Sequence, residues 1–366
     1  MKERKMDNIF LWIVIIIVFI GIVMFTSSSL GIYGKNETKF YGVLMSQFLL
    51  GLLGGVVAFY FTLKIPYKFW PQYSLFIFLS TIVLTALVFV PGLGFSHGGA
   101  KRWISILGIS FQPVEFLKIG FIIYFAAWLS WVKSKVRDVK FSILPLAVLI
   151  GIIGIVLLKQ PDTKSVILIV TTSMVMLFVS GMPWKYIAGI FLISIICFGL
   201  LIVYKPYLRS RIKTFVDPSH DPSGASYQLQ QSLIAIGSGG VTGRGLGQSI
   251  QKFSYLPEPQ GDSIFAVIGE ELGFIGSTLI IILFLAFTFR GYRIAYRAPD
   301  SFSKLLVVGI ITLFIAQVFM NIASITGVFP LTGVPLVFMS HGGTALMIAI
   351  ASMGIILNIS REGKSV

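Results

Sequence analysis

Residues with usable chemistry are sparse in this sequence and fall in short clusters. Glu115 and Lys118 stand three apart, a spacing that puts both on one face of a helix, so they can pair. The pair is either a structural ion pair near an interface or a contact with a charged substrate, since a lysine ammonium holds a phosphate as a point charge. Lys101-Arg102-Trp103 follows Gly98-Gly99 and sets two cations beside an aromatic of the kind that anchors at a membrane surface. Asp162 and Lys164 follow Gln160-Pro161 in what reads as a turn, and a plain interfacial turn explains them at least as well as a site.

The densest segment comes later, with Arg209, Arg211 and Lys213, then Arg244 and Lys252 flanking Gly237, Gly239, Gly240, Gly243, Gly245 and Gly247. No strand pattern precedes these glycines, and their spacing fits neither a dinucleotide nor a P-loop fingerprint, so a nucleotide site is rejected. They would let backbone amides approach an anionic group, or they serve flexible packing. Asp262 is the strongest catalytic candidate. It follows Pro257-Glu258-Pro259-Gln260-Gly261 and precedes a long apolar run, which sets its carboxylate at a water–lipid boundary. Loss of hydration raises a carboxyl pKa toward the range of a general base while nearby cations oppose the shift, so the sign stays open. The structural alternative is a helix cap. Glu270 and Glu271 lie further along the same predicted helix and are not expected to share a face. His97, His220 and His341 are scattered without metal-ligand spacing, and Cys197 is the sole cysteine, so no disulfide forms within the chain.

These groups must be positioned by apolar elements. The 366 residues are 56% hydrophobic and 12% charged, with a mean hydropathy of +0.91, which excludes a soluble enzyme, a disordered regulator and a disulfide scaffold. A membrane helix needs roughly 20 apolar residues, and the chain offers ten such runs, near 9–27, 41–63, 73–90, 113–132, 141–158, 165–182, 187–204, 264–289, 305–325 and 340–358. The net charge of +15 is explained by orientation, not by nucleic acid, because the bases cluster between spans. Loops holding Lys2, Arg4, Lys5, Lys64, Lys68, Lys133, Lys135, Arg137, Lys140, Lys185, Arg290, Arg293, Arg297, Lys304, Arg361 and Lys364 outweigh those holding Lys35, Lys39, Lys101, Arg102, Lys159 and Lys164. The bias predicts an all-α polytopic protein with both termini cytoplasmic. Residues 1–366 are expected to form a single membrane domain, with 205–263 as one large structured extracytoplasmic loop between the seventh and eighth spans. Within it, Tyr227–Ile236 is expected to form a helix along the membrane surface.

Several segments resemble the SEDS family (shape, elongation, division and sporulation): Lys101 through Ile104, Phe111-Gln112-Pro113 through Glu115 and Lys118, Gln160-Pro161-Asp162, and Tyr227-Gln228 through Gln231-Ser232-Leu233. Gly243 through Ser249, Gln251-Lys252, Tyr255-Leu256-Pro257-Glu258, Asp262, Phe265-Ala266, Glu270 through Gly273, and Pro330 through Gly343 agree more closely. The resemblance covers nearly the whole chain. Division and sporulation members are the more similar branches, with rod-elongation members the near alternative.

That resemblance implies a peptidoglycan glycosyltransferase polymerising lipid II, the undecaprenyl-diphosphate-linked disaccharide pentapeptide, at the outer face of the cytoplasmic membrane. It maps the family's loop aspartate to Asp262, which would deprotonate the 4-hydroxyl of the acceptor sugar. Lys118, Arg102, Arg209, Arg211 and Lys252 are the cations available for the diphosphate, the first two favoured because they recur in family motifs. Glu115, Gln231 and Ser232 complete the implied substrate-binding set. The implied partners are a class B penicillin-binding transpeptidase and other division or elongation proteins, with no nucleic acid. A Mg²⁺ or Mn²⁺ ion could assist, although no dedicated carboxylate cage is visible. The sequence departs from the family pattern at Gln260-Gly261 (usually His-Thr), Lys164 (usually glycine), His341 (usually tyrosine) and Val114 (usually serine). Two rival functions use the same features: a flippase for the same lipid, and a non-catalytic scaffold for the transpeptidase.

Overall fold

The computed structural model describes residues 6–34, 36–97, 100–106, 109–217 and 224–363. Helices lie at all ten expected positions. In chain order they are α1 (Asn8–Tyr33), α2 (Glu37–Lys64), α3 (Ser74–Phe89), α4 (Pro113–Val132), α5 (Val139–Lys159), α6 (Thr163–Val179), α7 (Trp184–Tyr204), then the loop helices α8 (Pro206–Val216) and α9 (Ala225–Ser238), followed by α10 (Ile264–Tyr296), α11 (Ser301–Ile325) and α12 (Gly343–Glu362). Among the described residues eight of these are long and apolar enough to cross a membrane, while α3 and α6 are shorter. The protein is therefore a multi-pass membrane protein.

The shorter helices end in a shared polar layer. Gln160, just before α6, donates from Nε2 to the carbonyl of Thr85 in α3 at 2.8 Å. Pro113 opens α4 at its first position, where a missing N–H costs no helical bond. α11 is buried along most of its length, whereas α7 is peripheral, with Ile187 its one fully buried residue. α12 lies against α2 through small residues: a β-carbon at Gly51 would stand 3.0 Å from Leu346, and one at Gly354 only 2.1 Å from Thr62 Oγ1. α2 contains a π-helical stretch, Ser46–Leu53, whose Gln47 donates to the Ser340 carbonyl and accepts from the Gly342 amide.

Two expectations are corrected here. The chain is not purely α-helical: β1 (Gly94–His97), β2 (Ala100–Ile106) and β3 (Ile109–Phe111) form an antiparallel sheet in that order, with a bulge between Phe95 and Ser96. Strands this short fall below the window over which hydropathy identifies a span, and Lys101-Arg102-Trp103 belongs to β2. Nor do Glu270 and Glu271 diverge. α10 breaks at Gly273 (φ 66°, ψ −163°), and both carboxylates grip the turn Gln251–Ser254 and the residues before it. Glu270 accepts from Ser249 Oγ at 2.6 Å and the Ile250 amide at 3.0 Å, and Glu271 takes Lys252 Nζ at 2.6 Å.

The same break explains the glycine series. The amides of Arg244 and Gly245 donate to the carbonyls of Glu270 and Glu271, each at 3.0 Å. Those of Phe274 and Ile275 donate back to Gly240 and Val241. A β-carbon at Gly243 would sit 2.2 Å from the Glu271 carbonyl oxygen, so this glycine permits backbone-to-backbone packing. The amides of Gly243, Arg244 and Gly245 are committed to protein carbonyls and are not offered to an anion. At the opposite end of the bundle, Asp7 pairs with Arg290 at 2.9 Å and its amide donates to Ser360, tying the start of α1 to the ends of α10 and α12.

Candidate active site

Asp262 lies where the 255–263 turn enters α10, and every neighbouring element reaches it. Gln228 of α9 donates from Nε2 to Asp262 Oδ1 at 3.1 Å and to Ser263 Oγ at 2.9 Å. Asn321 of α11 donates to the Asp262 carbonyl oxygen and to the Val334 carbonyl, both at 2.7 Å. Ser340 Oγ donates to the Gly261 carbonyl at 2.6 Å, and the His341 amide to that of Gln260 at 2.7 Å. The irregular backbone between α11 and α12 thus clasps the turn from the side opposite α9. Such irregular backbone is tolerated at membrane depth only when buried or lining a cavity, and Val334, Leu336 and Met339 are buried.

Gly333 fits between two charges. Its φ is +66°, and a β-carbon there would stand 3.4 Å from both Asp262 Oδ2 and Arg211 Nη2. Arg211 comes from α8, one turn after Tyr207, whose hydroxyl bonds Thr163 at the start of α6. Lys164, next along α6, donates from Nζ to the Gly333 carbonyl. Asp262, Arg211, Lys164 and Gln228 therefore form one polar cluster drawn from four separate segments. Burial pushes the Asp262 carboxyl above the usual carboxylate range, with Glu258 adding to the rise, while Lys164, the Gln228 hydrogen bond and Arg211 pull it back. The sign left open by the sequence is upward. Asp262 makes no cap bond to α10, so the capping role is not the one observed.

The other expected site residues divide into two groups. Glu115 and Lys118 form the expected pair at 2.9 Å in the first turns of α4, both buried, and Lys118 is within electrostatic reach of Lys164. Arg102 is also within reach of Lys164 and Arg211, but its guanidinium is occupied by the carbonyls of Gln160 and Pro161. The remaining four lie apart from Asp262 or turn from it. Arg209 is exposed and donates back to the Val203 carbonyl at 2.6 Å. Lys252 is fully buried among Glu271, Ser27 of α1 and the Gly247 carbonyl, a cage with no room for a diphosphate. Ser232 is buried with its hydroxyl on the Gln228 carbonyl one turn back at 2.7 Å, and Gln231 follows Gln228 on α9 without a bond to Asp262.

Sequence reasoning passed over Gln228 and Lys164. Gln228 stood inside a quoted motif, one helical turn before Ser232, and Lys164 stood with Asp162 as a turn or a site and as a departure at a glycine position, but not among the expected site residues. Among the described residues no three His, Cys, Asp or Glu side chains come together to hold a metal ion. Asp162 is buried with Oδ2 accepting from Ser165 Oγ at 2.8 Å, and Lys164 is within electrostatic reach of both it and Asp262.

Beside this cluster a cleft opens between α6, α7, α8 and residues 329–332. Lys164 and Arg211 stand in its wall, and Ile167, Phe198, Leu208, Ile212 and Leu331 make the rest of it largely apolar. Cations at the mouth of a greasy cleft suit an amphiphile with an anionic head.

The family described as "Cell cycle protein", comprising FtsW, RodA and SpoVE, matches residues 7–365. The chain is 36% identical to stage V sporulation protein E of Bacillus subtilis over 364 residues, covering 99% of each sequence. It is 38% identical over 359 residues to a probable peptidoglycan glycosyltransferase FtsW of Trichlorobacter lovleyi, covering 98% of this chain and 94% of that one. Among solved structures it is similar to a chain from work described as structural coordination of polymerization and crosslinking by a peptidoglycan synthase complex (TM-score 0.79, 24% identity, 98% of each chain). It is also similar to the rod shape determining protein RodA of Thermus thermophilus (TM-score 0.71, 23% identity, 99% of each chain).

Proposed function

The chain belongs to the FtsW/RodA/SpoVE family of cell cycle proteins, and from that premise we propose that it is a peptidoglycan glycosyltransferase polymerising lipid II at the outer face of the cytoplasmic membrane. The observation that carries the reading is Asp262, half-buried beside Lys164 and Arg211, two cations that line an apolar cleft. Asp262 accepts the proton of the acceptor sugar's 4-hydroxyl. The freed oxygen attacks the anomeric carbon of the donor, the bond from that carbon to the diphosphate breaks, and undecaprenyl diphosphate leaves with the electron pair. An upward-shifted carboxyl suits this task, because a base works best when its pKa approaches the working pH. Arg211 faces the charge that develops on the leaving diphosphate, and the cleft takes part of the prenyl chain.

The ten helices are taken as ten spans, with the end carrying Asp7, Arg290 and Ser360 cytoplasmic and the end carrying Asp262 outside. The excess of Lys and Arg in loops at the former end supports that orientation. On the same reading residues 205–263 form the extracytoplasmic loop of a single membrane domain. The partner is proposed to be a crosslinking transpeptidase of the class B penicillin-binding type, by extension from the solved complex that couples polymerization to crosslinking. A divalent ion would enter with the substrate diphosphate, not as a resident of the protein. The test is reconstitution of the full chain in proteoliposomes with fluorescent lipid II. Glycan strands from the wild type, and none above background from Asp262→Asn, are expected. Lipid II that crosses the bilayer without being polymerised by the wild type would overturn the assignment.

A further inference from the structure

Among the described residues Lys164 is the one cation bonded to the irregular segment that walls Asp262. Its Nζ donates to the carbonyl of Gly333, and Gly333 is the residue wedged between Asp262 Oδ2 and Arg211 Nη2. The next carbonyl, that of Val334, is held by Asn321, which also holds the backbone of Asp262. Residues 333–334 and the aspartate are thus fixed from two helices at once, by a neutral amide on α11 and an ammonium on α6. The same ammonium is within electrostatic reach of Asp162 and of Asp262, with Arg102 from β2 and Lys118 from α4 as the opposing cations. From the other side Asp262 meets Gln228 of α9, Arg211 of α8 and Glu258 of its own turn.

We propose that Lys164 is a positioning residue of the transfer reaction: it orders the Gly333 carbonyl against the base and supplies, beside Arg211, a positive charge that faces Asp262 and Asp162. The inference rests on the glycosyltransferase reading above. Of the other cations, Arg102 is spent on the Gln160 and Pro161 carbonyls and Lys118 on Glu115, while Arg211 faces Asp262 from α8. Among the described residues Lys164 is bonded to a backbone carbonyl and to no carboxylate. Its two roles are separable by substitution, because a glutamine at this position keeps a donor for Gly333 and loses the charge, whereas a methionine loses both.

The experiment compares full-length wild type, Lys164→Gln, Lys164→Met and Lys164→Arg in proteoliposomes, measuring lipid II polymerisation across pH together with thermal unfolding. A carboxylate deprived of a facing cation ionises at higher pH, so the acid limb of the rate profile in Lys164→Gln is expected to move up by about one pH unit with the alkaline plateau kept. Lys164→Met is expected to show the same movement and a lower plateau, and Lys164→Arg to follow the wild type. An unmoved limb in Lys164→Gln overturns the proposal, as does a uniform rise in KM at every pH, which is the mark of a plain lipid contact. Lys164→Gln decides the matter even if Lys164→Met does not fold. A wild type that makes no glycan at any pH, with Asp262→Asn indistinguishable from it, sinks the glycosyltransferase reading and this inference together. An active wild type, silenced by Asp262→Asn but indifferent to Lys164→Gln, sinks this inference alone.

Discussion

Asn321 carries Asp262 by its backbone: the single Nδ2 of Asn321 donates to the carbonyl of Asp262 and to that of Val334, both at 2.7 Å. One side chain from the buried helix α11 thereby fixes the base relative to the segment that faces it. Asn321→Ala would leave two buried carbonyls without this donor, at about 1–3 kcal/mol for each group. A lower unfolding temperature and a reduced polymerisation rate are expected at every pH, with the acid limb where it was. A variant as stable and active as the wild type would show that the clasp is redundant.

Asp262→Asn is expected to lower the polymerisation rate by about 10²–10⁴-fold, the usual contribution of a positioned base. The wild-type rate should fall with acidification at a pH above the ordinary carboxylate range, since burial raises this carboxyl. The sign for stability follows from the same shift. A carboxyl whose folded pKa is raised stabilises the fold below its unfolded pKa and loses that contribution as pH rises through the folded value. At neutral pH the ionised group is a burden, so Asp262→Asn should unfold at a higher temperature than the wild type while being inactive. Unfolding at a lower temperature would mean that the charged form is the one the fold prefers.

Lys252 tests the separation of structure from catalysis. With Glu271 at 2.6 Å and no exposure on either side chain, Lys252→Met strands a buried carboxylate, a change that typically costs about 3–5 kcal/mol. Poor recovery and a low unfolding temperature are expected, both largely restored by adding Glu271→Gln. The restored double variant should polymerise with an ordinary KM. A KM raised several-fold in a well-folded double variant would return Lys252 to the substrate.

For Lys118 the pairing with Glu115 at 2.9 Å makes the single substitution ambiguous. Lys118→Met is expected to reduce both stability and activity, and Lys118→Met with Glu115→Gln to recover stability alone. Unfolding curves and rates measured on the same preparations separate the two. Recovered activity in the double variant would reduce Lys118 to a structural partner.

How much of this was legible in the chain follows from what local pattern can encode. Hydropathy is a property of contiguous residues, and a backbone in lipid must satisfy its own hydrogen bonds, so runs of apolar residues fixed the places of the helices and the ends at which Asp262, Glu115 and Lys118 lie. The cost of a charge beside lipid singled out those same residues. Pairing at three residues' separation is also local, and Glu115–Lys118 was read correctly for that reason.

What tertiary structure alone decided are contacts between distant segments. Lys164 meets Gly333 across 169 positions, Lys252 meets Ser27 across 225, and Gln228 meets Asp262 across 34 with two loops between. No periodicity relates such residues, so the sequence could not distinguish Arg211, turned toward the base, from Arg209, two positions earlier and turned away. The identity of a cation was written in the chain. Whether it is spent on a carboxylate, on a carbonyl or left to face the base was settled only when the helices packed, because packing determines which opposite charge is near and how much water remains between them.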